Sequence, residues 1–226
     1  MLFLFDIDGT LVATGGAGLR ALDLAFLELH GLPEATAGIA ADGKTDPLIV
    51  EEMFRARLGR APRDHEYHTL IDRYLAHLDG EVTRSERYKI FPGVASALDA
   101  LERRGYTVGL ASGNVERGAA IKLRRGDLWR RFAFGGYGSD APERAKLVAC
   151  AIAKAEAHAG RSFGKGEVFV IGDTPRDVAA AHACGALAMA VATGPHAADA
   201  LRASGAEVVM ETLEELEAAL PLSRGS

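Results

Sequence analysis

The chain has 226 residues, enough for one sizeable domain or a core with a smaller appended unit. Hydrophobic residues make up 48% and charged residues 25%, the balance of a folded globular protein rather than a disordered or fibrous one. A net charge of −5 argues against a nucleic-acid-binding face, and no apolar run is long enough to cross a bilayer.

Residues 2–8, LFLFDID, form a short apolar run ending in aspartates, which is how a central parallel strand buried on both faces reads. The opening MLFLF lacks a basic flank and is too short for a signal peptide. Only two cysteines occur, Cys150 and Cys184, with no disulfide framework or metal knuckle. Small core thiols in a reducing cytoplasm are the expectation.

Residues 14–88 carry helical periodicity and no strand: Leu19, Leu22, Ala25, Phe26 and Leu29, then Ile49 and Met53, then Leu70, Ile71, Tyr74, Leu75 and Leu78. They read as a helical insertion, and Phe91-Pro92-Gly93-Val94 as the return to the core. Beyond it, apolar runs at Thr107–Ala111, Val168–Ile171, Leu187–Ala192 and Glu207–Met210 alternate with helical stretches at 94–104, 116–131, 143–159, 175–183, 196–203 and 212–220. The fold class expected is therefore α/β, a doubly wound parallel-sheet core of residues 1–13 and 89–226 with an inserted cap of residues 14–88.

In such sheets ligands bind at the carboxyl ends of the strands. Those ends read Asp6-Ile7-Asp8-Gly9-Thr10, Ala111-Ser112-Gly113-Asn114 and Gly172-Asp173-Thr174-Pro175-Arg176-Asp177. Four carboxylates and a hydroxyl would converge there. Their mutual repulsion calls for a hard divalent cation such as Mg²⁺, which takes oxygen ligands and substrate phosphate oxygens. Thr174 and Asp177 also read as a capping box with Pro175 at the first helical position, a role compatible with metal support.

Asp6-Ile7-Asp8-Gly9-Thr10-Leu11, Ser112 and Gly172-Asp173-Thr174-Pro175-Arg176-Asp177, in that order, resemble the haloacid dehalogenase superfamily of hydrolases, and most of all its phosphoglycolate phosphatase-like members with a small helical cap. The resemblance implies a Mg²⁺-dependent phosphatase acting on a small phosphorylated metabolite, with phosphoglycolate the default. Asp6 would be the nucleophile and Asp8 the general acid/base. Asp6, the backbone carbonyl of Asp8 and Asp173 would bind the metal, with Asp177 supporting it through water. Ser112 and the backbone of Gly113 and Asn114 would hold the phosphoryl group, with Thr10 a further substrate-binding candidate. A sugar-phosphate mutase can share all of these motifs. A 2-haloacid dehalogenase would not need Asp8.

Gly38–Thr45 matches the P-loop pattern, but no apolar strand precedes it and Pro47 follows, so a cap loop is expected, with Lys44 meeting an anionic substrate tail. The superfamily also needs a cation opposite the phosphoryl group. Asp140 and Glu143 read as a capping box, and Leu147, Val148, Ala151, Ile152 and Ala155 as the buried stripe of the helix that follows. Helix phase then turns Arg144 inward and Lys146 outward, making Arg144 the first candidate and Lys146 the second.

Overall fold

The computed structural model describes residues 1–220. The chain opens with strand β1 (Leu2–Phe5) and a two-residue strand β2 (Val12–Ala13), then runs through helices α1 (Ala17–His30), α2 (Asp46–Leu58) and α3 (Asp64–Arg84) before returning along β3 (Lys89–Ile90). The remainder alternates: α4 (Val94–Arg103), β4 (Thr107–Ser112), α5 (Glu116–Arg124), β5 (Gly135–Tyr137), α6 (Arg144–Ala159), β6 (Val168–Gly172), α7 (Pro175–Ala183), β7 (Leu187–Val191), α8 (Ala198–Ala203), β8 (Val208–Met210) and α9 (Leu216–Ala219). Six parallel strands form the main sheet in the order β5-β4-β1-β6-β7-β8, while β2 and β3 pair as a separate antiparallel ribbon.

Period-two geometry explains why β1 is apolar throughout. Phe3 and Phe5 face a core shared with Val94, Leu98 and Leu101 of α4 and Leu123 of α5. Leu2 and Leu4 face the opposite core, with Leu147 and Ala151 of α6 and Val178 of α7. Both faces of the strand are thus covered by helices, as a parallel sheet requires. Phe3 also stacks on Phe169 of β6, with ring centroids 4.8 Å apart.

The three helices between β2 and β3 form a cap with a core of its own. Leu22 and Phe26 of α1, Met53 and Phe54 of α2, and Leu70, Tyr74 and Leu78 of α3 pack together. From the main body, Val115 at the N-cap of α5 joins that cluster and Ile121 of α5 packs against it. Hydrophobic burial therefore acts within each unit more than between them, and the ribbon of β2 and β3 is their connection.

Some expectations need correction. The helix expected over 116–131 ends at Arg124, because Gly126 and Asp127 turn the chain and Asp127 takes a left-handed conformation at φ 55°. A short 3₁₀ turn, Trp129–Arg131, follows. Asp140 caps no helix. Its carboxylate accepts the Tyr137 N–H at 2.9 Å and pairs with Lys154 at 2.8 Å, while Glu143 takes the N-cap position without a side-chain bond. Cys150 and Cys184 are free and half-buried rather than sealed in the core.

Candidate active site

β1 pairs with β4 on one side and β6 on the other, in register from Leu2–Thr107 to Phe5–Leu110 and from Leu2–Val168 to Phe5–Ile171. That register brings Asp6, Ser112 and Asp173 to one edge of the sheet. Carboxylate oxygens of Asp6, Asp173 and Asp177 lie within 4.8 Å of one another, and all three residues are buried. The second carboxyl of the first motif, Asp8, lies in the turn after β1 and lines the same cavity.

Arg144, in the first turn of α6, is clamped among these groups. One guanidinium nitrogen lies 3.0 Å from Asp6 Oδ1 and 2.5 Å from Asp177 Oδ1, Nε donates to Asp177 Oδ1 at 2.8 Å, and Nη1 donates to the Gly43 carbonyl at 3.1 Å. Burial pushes the carboxyls of Asp6 and Asp173 above the usual range. Arg144 partly offsets the shift at Asp6, while the charges of Asp6 and Asp177 add to it at Asp173. Buried carboxyls that repel one another, with hard oxygen donors and a shared centre, fit a divalent cation such as Mg²⁺.

The flanking residues hold this set in position. Asp177 Oδ2 accepts both the N–H of Thr174, at 3.0 Å, and its hydroxyl, at 2.8 Å, so the expected capping box forms and fixes the carboxylate as well as the helix. Asp8 Oδ2 accepts from Asn114 Nδ2 at 2.8 Å and from Lys122 Nζ at 2.6 Å. Asn114 Nδ2 also reaches Ser112 Oγ at 2.9 Å.

The cap closes one side of the site. The Asp46 N–H donates to the Gly113 carbonyl at 2.8 Å, Asp46 Oδ2 accepts the Val115 N–H at 2.8 Å, and Thr45 Oγ1 donates to the Pro142 carbonyl at 2.8 Å. Burial pushes the Asp46 carboxyl up to about 6, against the pull of Lys122 and the Val115 N–H. Around this junction lies a cavity of about 400 Å³ lined by both units.

Residues 1–185 match the family model of the haloacid dehalogenase-like hydrolases. The chain belongs to that family. It is 28% identical over 219 residues to the probable phosphatase IndB of Dickeya dadantii, covering 95% of this chain and 91% of that one. It is 26% identical over 238 residues to the phosphoglycolate phosphatase of Escherichia coli K12, covering 96% and 91%. Its fold is similar to that of a predicted phosphoglycolate phosphatase from Haemophilus somnus 129PT, with a TM-score of 0.72, 16% identity and 96% of each chain covered.

Within this haloacid dehalogenase-like hydrolase, Asp6, Asp8, Ser112, Gly113, Asn114, Lys44, Arg144 and Asp173 line the cavity, and Asp177 stands directly behind it. Three candidates behave differently. Thr10 is fully buried and donates its hydroxyl to Asp173 at 3.3 Å, outside the cavity wall. Lys146 leaves the site altogether: helix phase turns it to solvent, where it pairs with Glu143 and its side chain is 70% exposed. Lys44 does reach the cavity, but Glu52 holds its ammonium at 2.6 Å. No strand precedes Gly38–Thr45, so the context of a nucleotide P-loop is absent there.

Sequence reasoning passed over Lys122, Asp46 and Tyr74. Lys122 is 5% exposed and its charge is sustained in the interior: burial disfavours it, but the carboxylates of Asp8 and Asp46 outweigh burial and raise its pKa. The available signal was position on the helix, since Val115, Ala119, Lys122 and Leu123 lie on one face at helical spacing.

Proposed function

We propose that this hydrolase is a Mg²⁺-dependent phosphatase that cleaves a small organic phosphomonoester, a cytoplasmic metabolite, through an aspartyl-phosphate on Asp6. The observation that carries this reading is the convergence of Asp6, Asp173 and Asp177 within 4.8 Å, with Arg144 paired to Asp6 and Asp177. The names of the two relatives support phosphatase chemistry. We take residues 14–88 as the cap and residues 1–13 and 89–226 as the core.

The Asp6 carboxylate attacks phosphorus, and the bond from phosphorus to the alcohol oxygen breaks. Asp8 gives a proton to that departing oxygen, then takes one from the water that attacks the aspartyl-phosphate, releasing inorganic phosphate and restoring Asp6. Asn114 and Lys122 both donate to Oδ2 of Asp8, which orients the carboxyl and leaves Oδ1 for the proton transfers. Arg144 can bridge Asp6 and a phosphoryl oxygen with its fork of donors. The Ser112 hydroxyl, with the main chain of Gly113 and Asn114, holds the other phosphoryl oxygens. Asp6, the Asp8 carbonyl and Asp173, with Asp177 behind, would hold Mg²⁺, which would neutralise charge on the phosphoryl group.

A phosphate-release screen of the purified protein against small phosphate esters, with Mg²⁺ and with a chelator, tests this directly. Metal-dependent release from at least one ester is the expected outcome. Release that persists fully in the chelator, or a product in which phosphate has only moved within a sugar phosphate, would replace this reading, the latter with a mutase.

A further inference from the structure

Resting on the phosphatase reading, we infer that the ester taken by this site has an uncharged, partly apolar leaving group whose hydrogen-bonding atom meets the hydroxyl of Tyr74. The cavity holds about 400 Å³, room for a phosphoryl group and a ring-sized alcohol.

Charge on the wall is the first ground. Among the described residues three cations line the cavity, and each already has a carboxylate partner: Lys44 with Glu52, Lys122 with Asp8, and Arg144 with Asp6 and Asp177. Beyond the phosphoryl end, the same wall carries Asp42 and Asp46. A carboxylate on the leaving group would have to break an internal ion pair or sit unpaired beside these two acids, and either weakens its binding. Phosphoglycolate, the sequence-based default, carries such a carboxylate.

Shape and polarity are the second ground. Leu19, Leu22 and Ile49 supply apolar surface from the cap. Tyr74, from α3, is 1% exposed and lines the cavity, yet its hydroxyl makes no hydrogen bond among the described residues. A Cβ at Gly18 would sit in ordinary contact with both Lys122 Nζ, at 3.6 Å, and the Tyr74 hydroxyl, at 3.9 Å, so the two polar atoms face one space beside this glycine. Burial holds the Tyr74 phenol well above its usual range, so the hydroxyl remains a donor. A donor that opens on the cavity with no protein partner is free to meet an acceptor on the bound alcohol.

Two esters that differ by one methyl group test the charge: 4-carboxybenzyl phosphate and its methyl ester, with 2-phosphoglycolate and benzyl phosphate alongside. With the Mg²⁺-loaded full chain, kcat/KM should favour the methyl ester over the carboxylate by about tenfold or more. Glu52→Gln, which frees Lys44, should narrow that ratio by improving the carboxylate. Tyr74→Phe should lower kcat/KM for the methyl ester and spare benzyl phosphate, which offers no acceptor beyond its phosphate. Equal or better use of the carboxylate or of phosphoglycolate by the wild type would overturn the inference and leave the phosphatase reading standing. Hydrolysis of none of the four esters, nor of any ester in the wider screen, would remove both.

Discussion

Lys122 Nζ donates to Asp8 Oδ2 across 2.6 Å, joining the last turn of α5 to the turn after β1 inside the cavity. The lysine touches the carboxyl proposed to move protons, not the reacting phosphoryl group, so it acts by positioning. Lys122→Met should lower kcat by roughly 10–10²-fold with KM little changed, part of the 10²–10⁴-fold that acid/base catalysis usually contributes. An aryl phosphate with a strongly acidic leaving phenol needs no proton on departure and should lose less in the first step. Steady-state and pre-steady-state kinetics on both ester types check this. An equal loss on both, with KM rising in step, would assign Lys122 to general structure instead.

Arg144 and Lys146 are two residues apart on α6 and have opposite surroundings. The first side chain is 9% exposed among Asp6 and Asp177, and the second is 70% exposed beside Glu143. Arg144→Ala should lose on the order of 10²-fold or more in kcat, the usual cost of removing one preorganised donor. Arg144→Lys should recover only part of that, since an ammonium cannot fork between two oxygens. Lys146→Ala should stay near wild type, as an exposed helical ion pair contributes little. A dead Lys146→Ala beside a healthy Arg144→Ala would reverse the assignment.

The carboxyls of Asp6 and Asp173 hold their protons more tightly in the folded protein than in the unfolded chain. The metal-free fold therefore binds more protons than the unfolded chain above the ordinary carboxylate pKa of about 4, and it loses stability as pH rises through that region and beyond. A bound cation takes the place of those protons. Thermal unfolding at about pH 5 and about pH 8 should show Tm falling with pH in a chelator, and a Mg²⁺-induced rise in Tm that is larger at the higher pH. A Mg²⁺ effect of equal size at both would contradict the proposed ligand set.

Gly113 marks where the cap loop rests on the core. A Cβ there would lie 2.4 Å from the Lys44 carbonyl oxygen and 3.0 Å from Thr45 Cα, both main chain and unable to swing aside. Gly113→Ala should push the loop off, weaken the bond from the Asp46 N–H to the Gly113 carbonyl, and cost about 1–3 kcal/mol of stability, the usual range for overpacking. KM should rise as the cavity wall shifts. Denaturant midpoints and KM report the two effects separately, and a variant matching wild type in both would show that the contact is slack.

Much of the fold was legible because long apolar runs and helical stripes leave clear periods: β1, β4, β6 and β7 and the cap helices lie where their patterns put them. β5 was not legible, since Gly135-Gly136-Tyr137 has too few side chains to show alternation. The ribbon of β2 and β3 has two residues per strand and no period at all. At the site, strand ends and helix phase sufficed for Asp6, Asp173 and Arg144. Lys122 was hidden because its burial depends on Asp8, more than a hundred residues away, and on a cap that sequence could outline but not dock. Tyr74 read as one more residue of an apolar stripe, and its free hydroxyl is a property of the folded cavity alone.

The proposed mechanism places a covalent phosphoryl group on Asp6 in every turnover. Its most direct test is mass analysis of protein quenched in acid during turnover, while ester and Mg²⁺ are both saturating. One added phosphoryl group should appear on the N-terminal peptide that contains Asp6, present in wild type and absent from Asp6→Asn, which should also have lost turnover. A phosphoryl group on any other peptide, or Asp6→Asn turning over like wild type, would contradict it.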